Sequence, residues 1–368
     1  MASLPLSPTH YCRPCLRRLY LQTQTRTLTT TPSRRKHGAL PTFVATASPD
    51  LDDILSTFRD NVFLPSHLIK LQRDLLYKKK NHALLTSDEP ATVRLGSEVV
   101  QLKPLSHQKD EPATRPAIKK VVDLMTETKD WRNLPGFLDG LMTARRSVKG
   151  FQLEKMVRKA NECGKMGVVL ECLKRVEDTG MGLWELRVAR EVMWGATAKA
   201  MQADWSEEGV EKGAKYAEMI WEMMLDPRHR EKMHGDQDAK KRPEVIGVLV
   251  QMHAARALIE NIGDDGGLVE KYVKMMLQVW GNTETKFEEG DWDDANHKLT
   301  IWSPVWHGMS MAQKVLGAKT PLGQELGAKL KELESLVGRA RPLLLAKSTQ
   351  EGPRRGVKLY ESLSQVSL

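Results

Sequence analysis

The chain has 368 residues, of which 40% are apolar and 6% aromatic. That is enough for two ordinary domains or one elongated array, and no stretch reaches the roughly 18–20 consecutive apolar residues that a membrane span requires. The formal net charge is +9, but seven basic residues precede Asp50, the first acidic one, and beyond them 49 basic residues face 47 acidic. A body that close to neutral excludes the broad cationic field that drives non-specific nucleic-acid binding.

Residues 1–49 are Arg-, Ser- and Thr-rich and hold no acid before Asp50, a composition that resembles a mitochondrial presequence. Tyr11 to Tyr20 places Arg13, Arg17 and Arg18 among Leu16, Leu19 and Tyr20, a basic amphipathic segment of the kind drawn to an anionic membrane. Cys12 and Cys15 form a lone C-x-x-C, which without a second pair is weak evidence for zinc or redox chemistry.

Residues 50–115 read as an N-terminal helical arm and a connector. Asp50 is placed to cap a short helix, and Pro65 stands early in a longer one striped by Leu68, Leu71, Leu75 and Leu76. Tyr77, Lys78, Lys79 and Lys80 follow as a candidate phosphate-contacting patch, although a three-Lys run is more often plain solvated surface. Val93, Leu95, Val99, Val100 and Leu102 around Gly96–Ser97 predict a small β-hairpin, and Pro90, Pro104, Pro112 and Pro116 predict an extended connector. From Asn61 to Lys120 eleven basic residues face six acidic ones, so this arm carries local positive charge.

From 116 to 345 the pattern is helix after helix. Phe151 to Met181 holds two amphipathic segments, with Leu153, Met156, Val157 and Ala160 on one face and Met166, Val169, Leu170, Leu173 and Val176 on the other. Gly164 and Gly180 stand where left-handed C-caps would end them. A helical hairpin of this kind cannot bury its apolar faces alone. The unit, with its Gly164–Lys165–Met166 joint and terminal Thr179–Gly180–Met181, resembles a pentatricopeptide (PPR) or TPR-like repeat. The resemblance implies a scaffold of stacked hairpins. It also implies base-reading positions at Glu154 and Trp184, where this sequence lacks the small polar and Asp/Asn residues of the family. About five hairpins fit between 116 and 345, so the expected fold is all-α: a short, irregular α-solenoid preceded by a small extended or β-hairpin connector. Residues 281–303 read as an acidic loop carrying Trp292, with Pro304 opening the next helix. Residues 346–368 read as a flexible basic tail.

No P-loop, G-x-G-x-x-G, H-E-x-x-H or G-x-S-x-G is present. His229 and His234 lie five apart and share no helix face well, and Ala295 breaks the calcium-loop pattern begun by Asp291, Asp293 and Asp294. The sequence therefore predicts no enzyme, metal or cofactor site. Leader, hairpin and local basic clusters predict a mitochondrial matrix protein of organellar gene expression. It would be a ribosome component or assembly factor, or an mRNA factor, with mitochondrial RNA or the ribosome as partner. A protein-binding scaffold for assembly of a respiratory-chain complex, at the inner membrane, is the alternative. Candidate RNA contacts are Tyr77 and Lys78–Lys80, Arg145, Arg146 and Lys149, and Arg354, Arg355 and Lys358. Trp292 is the candidate protein contact.

Overall fold

In a computed structural model, residues 39–87, 91–230, 238–283, 285–288, 290–346, 352–366 and 368 are described. Cys12, Cys15, His234 and the basic amphipathic segment Tyr11 to Tyr20 lie outside them. Helix α1 (Pro49–Phe58) has Pro at its first position, where the missing N–H costs nothing, and Ser48, not Asp50, as N-cap. It runs on through a π-turn (Arg59–Phe63) and Leu64–His67. The wider turn lets Phe58 and Phe63, five residues apart, both meet Phe137 at ring-centroid distances of 5.2 and 6.0 Å. Helix α2 (Lys70–Tyr77) follows, then the antiparallel hairpin β1 (Thr92–Leu95) and β2 (Glu98–Gln101), closed by Gly96 at φ 60°.

The body opens with α3 (Thr114–Leu124) and α4 (Leu134–Thr143), and four packed helical pairs follow: α5 (Gly150–Glu162) with α6 (Met166–Lys174), α7 (Leu186–Gln202) with α8 (Glu207–Leu225), α9 (Pro243–Glu260) with α10 (Leu268–Gln278), and α11 (Trp292–Leu316) with α12 (Pro321–Ala346). The first helices stack in sequence order, α3 on α5, α5 on α7, α7 on α9 and α9 on α11. The second helices form the other row, with α4 on α6, α6 on α8 and α10 on α12. This is the expected all-α solenoid, irregular because its paired helices lengthen from 9 residues to 26. Gly164 and Gly180 take φ 69° and 68° at the joints of the second pair, where only glycine enters the left-handed region without strain.

Three expectations are corrected. Residues 40–48 are not part of a loose leader. Leu40 is buried, Val44 exchanges two hydrogen bonds with the Asn133 side chain (2.7 and 2.9 Å), and the Ala47 N–H reaches Asp130 (2.9 Å). Burial raises the Asp130 pKa, but backbone N–H donors from Ala47, Glu127 and Thr126 outweigh it and hold the carboxylate below its ordinary value.

The acidic loop ends at Asp291, whose side chain caps α11 by accepting from the Asp294 N–H at 2.9 Å. Asp293 and Asp294 sit in the first turn, where the helix dipole favours negative charge. Pro304 lies inside α11 because Ala295, Leu299, Trp302 and Val305 are buried on both sides of it, and that burial outweighs the lost hydrogen bond. The basic tail is also not loose. Helix α13 (Arg355–Ser364) buries Val357, Leu359 and Leu363 against α11.

Helix α9 is the centre. Nearly all of it from Pro243 to Ala257 is buried, as a helix apolar all round requires. Its backbone comes close to α11: a Cβ at Gly308 would stand 2.8 Å from the Gln251 Cα, and one at Gly247 would stand 2.8 Å from Val305. A buried polar chain crosses three helices here. Thr197 of α7 donates to Gln251 Oε1, and Gln251 Nε2 donates to His307 Nδ1 at 2.9 Å. An Nδ1 that accepts carries no proton. Burial, with a smaller contribution from Lys314, lowers the His307 pKa to about 4.

Gly308→Ala should cost about 1–3 kcal/mol through overpacking. Gly167→Ala in α6, where a Cβ meets nothing within 4 Å, should be neutral or stabilise by up to about 1 kcal/mol. Urea unfolding of the two variants checks both. A lowered histidine pKa means that the unfolded chain takes up the proton first, so stability falls with pH from about 7 toward the folded value near 4. His307 alone should remove about 2 kcal/mol between pH 7.5 and pH 5. His307→Leu should flatten that limb of the urea-measured pH profile by the same amount, although it is less stable at neutral pH because Gln251 loses its acceptor.

Candidate nucleic-acid interface

The three basic clusters chosen from the sequence meet different fates. Lys78 ends α2 and is bound to Asp74 at 2.6 Å, while Lys79 and Lys80 are exposed on a short 3-10 turn. Tyr77 turns inward, not toward the lysines. Its hydroxyl donates to Glu111 at 2.9 Å and its ring stacks on His107 at 3.7 Å and 11°. Burial, and then the Glu111 hydrogen bond, push its phenol well above the ordinary value. Arg146 binds the other oxygen of Glu111, so one half-buried carboxylate joins the first cluster to the second. Arg145 is exposed at φ 55°, in the turn after α4, and Lys149 is exposed at the start of α5.

The third cluster is mostly engaged within the fold. Arg354 binds Asp293, and the Gly356 N–H reaches Asn296 Oδ1 at 2.9 Å, which fastens the start of α13 to the start of α11. Arg355 grips Glu191 of α7 with both guanidinium nitrogens, at 3.0 and 2.7 Å. Lys358 is exposed, and Trp292 is half-buried as the first residue of α11. Of the two positions implied by the PPR resemblance, Glu154 lies 3.7 Å from both Arg158 and Arg187, and burial raises its pKa. It is a shared counter-ion in the fold, not an open reader. Buried Cys172 is inert, its thiol pushed up to about 12 by burial and then by Glu171.

Sequence reasoning missed a fourth cluster, which the stacking of α3 on α5 assembles. Arg115, Lys119 and Lys120 are exposed on α3, beside Lys149 and Phe151 at the start of α5. Among the described residues no carboxylate pairs with Arg115, Lys119, Lys120 or Lys149, whereas Lys155 is held by Asp123 at 2.6 Å. The available signal was Arg115 and Lys119 at i, i+4, one helix turn apart. Nothing in the sequence says that α5 lies alongside them.

Among the described residues no group of three or more His, Cys, Asp or Glu side chains is placed to hold a metal, and no helix is long and apolar enough to cross a membrane. Stacked helices with local cationic surface define the class: an all-α protein built as rows of packed helices. The profile of the mitochondrial ribosomal protein mS27 family matches residues 26–362, and the chain belongs to that family. It is similar to the small ribosomal subunit protein mS27 of Neurospora crassa, 26% identical over 275 residues that cover 70% of this chain and 69% of that one.

The Arg355–Glu191 contact predicts a stability effect in a residue chosen from sequence as an RNA contact. Arg355→Ala leaves a carboxylate buried without its partner and should cost about 3 kcal/mol. Adding Glu191→Ala should recover part of that loss, read as a coupling in a urea double-mutant cycle.

Proposed function

We propose that the chain is a non-catalytic component of the small subunit of the mitochondrial ribosome, with its paired helices as a rigid support between RNA and neighbouring proteins. The observation that carries this is the family match, which spans nearly the whole helical body and reaches back to residue 26. The alternative of a scaffold for respiratory-complex assembly has no comparable support. In this reading the PPR-like hairpin at 151–181 contributes architecture alone, since Glu154 is engaged by two arginines. Residues N-terminal to Leu40 act as the mitochondrial targeting segment, because Leu40 itself belongs to the core. RNA contacts fall on exposed lysines and arginines of the α2–α5 end, and the Trp292 end faces protein.

The test is sedimentation of a tagged chain from a mitochondrial lysate. Co-migration with the small subunit, collapsed to a light species by RNase, is expected. Migration unchanged by RNase would favour the respiratory-complex scaffold. Deleting residues 1–38 should leave a folded protein in the cytosol, whereas deleting 1–49 should also cost stability, through loss of Leu40 and Phe43. Import of either truncation would overturn the targeting assignment.

A further inference from the structure

The fourth cluster surrounds a groove. Where α3 lies on α5, two adjoining hollows of about 380 and about 390 Å³ share Arg115, Phe151 and Gln152. The first is apolar, walled by Pro116, Ile118, Val122 and Phe151 with Lys119 at its rim. The second is polar, lined by Thr114, Ser147 and Lys149. Phe151 is 42% exposed, unusual for a residue of its size, and the Arg115 guanidinium lies 5.1 Å from its ring centroid. Gln152 is only 7% exposed. Its Oε1 accepts the Lys149 N–H at 3.0 Å, and its Nε2 has no partner among the described residues. The lining of the two hollows contains four cations and no carboxylate.

We propose that this groove takes one nucleotide of a single-stranded RNA segment, with the base in the apolar hollow against Phe151 and its phosphate in the polar hollow beside Arg115 and Lys149. Three features select this occupant. A flat ring pressed by a guanidinium is the platform on which unpaired bases stack. The cationic, acid-free lining is complementary to phosphate, and a polyanion that releases counterions on binding gains most from it. Gln152 lines both hollows, and its unpartnered amide nitrogen is a donor available to a base edge or a phosphate oxygen. A duplex keeps its bases stacked and cannot fill the apolar hollow. The inference rests on the ribosomal reading above, but the two fail separately.

The experiment uses the purified full chain and a short, mixed-sequence, fluorescently labelled single-stranded RNA, with the same sequence as a duplex and a poly-glutamate competitor as further arms. Phe151→Leu keeps the apolar volume and removes the stacking face, and should weaken single-strand binding about tenfold. Lys119→Glu with Lys149→Glu should lower the slope of log affinity against log salt by about 1–2 units. Binding should favour the single strand over the duplex and resist poly-glutamate. Thermal melting of both variants should match the parent, since the altered residues are exposed. Absence of single-strand binding, equal binding of duplex, full displacement by poly-glutamate, or Phe151→Leu indistinguishable from the parent would each overturn the groove. Phe151→Leu that still sediments with the small subunit while losing the oligonucleotide separates this site from the ribosomal assignment.

Discussion

The structure depends most on the close approach of α9 and α11. Two helices can bring their backbones this near only where one presents no side chain, and Gly247 and Gly308 provide that on each partner. The polar side chains at this approach are buried, so they must satisfy each other. Thr197, Gln251 and His307 do so in a fixed donor order that requires a neutral imidazole. Helix α9 then carries α7 and α8 on one side and α10 and α11 on the other, and α11 carries α12 and α13. The C-terminal half is thus one packed unit, not a string of independent repeats.

Charge is used differently at the two ends. In the C-terminal half, carboxylates and guanidinium groups neutralise each other inside the fold: Glu191 with Arg355, Glu244 with Arg190 and Arg242, and Asp265 with Arg256. Asp265 also binds His253, whose pKa burial lowers despite that partner. At the α3–α5 end several cations have no internal partner. What sets the α3–α5 end apart is that its free cations gather around one groove whose lining holds no carboxylate.

Helix existence was legible because apolar periodicity is strong. The β-hairpin, the helices of the body and the joints at Gly164 and Gly180 all follow from spacing and glycine placement. Three features were not legible, each for a reason of context. Asp291–Asp294 reads as loop chemistry until it is seen as the first turn of α11, and Pro304 reads as a helix start until burial on both sides carries the helix through it. Arg354 and Arg355 read as a solvent-facing tail because their partners, Asp293 and Glu191, are distant in sequence. The groove was invisible because Arg115 and Phe151 meet only through the stacking of two helices. Family membership came from the whole-chain comparison, since no single motif carries it.

The proposed role makes this chain a row of packed helices built into the small subunit with its α3–α5 end on RNA. A density map of small subunits purified from mitochondria tests it most directly. The expected map shows an unbroken helical row from α3 to α13, with the exposed faces of α3 and α5 against single-stranded RNA. A map in which the chain is absent, or in which RNA lies on the α11–α13 end while α3 and α5 face protein or solvent, would contradict it.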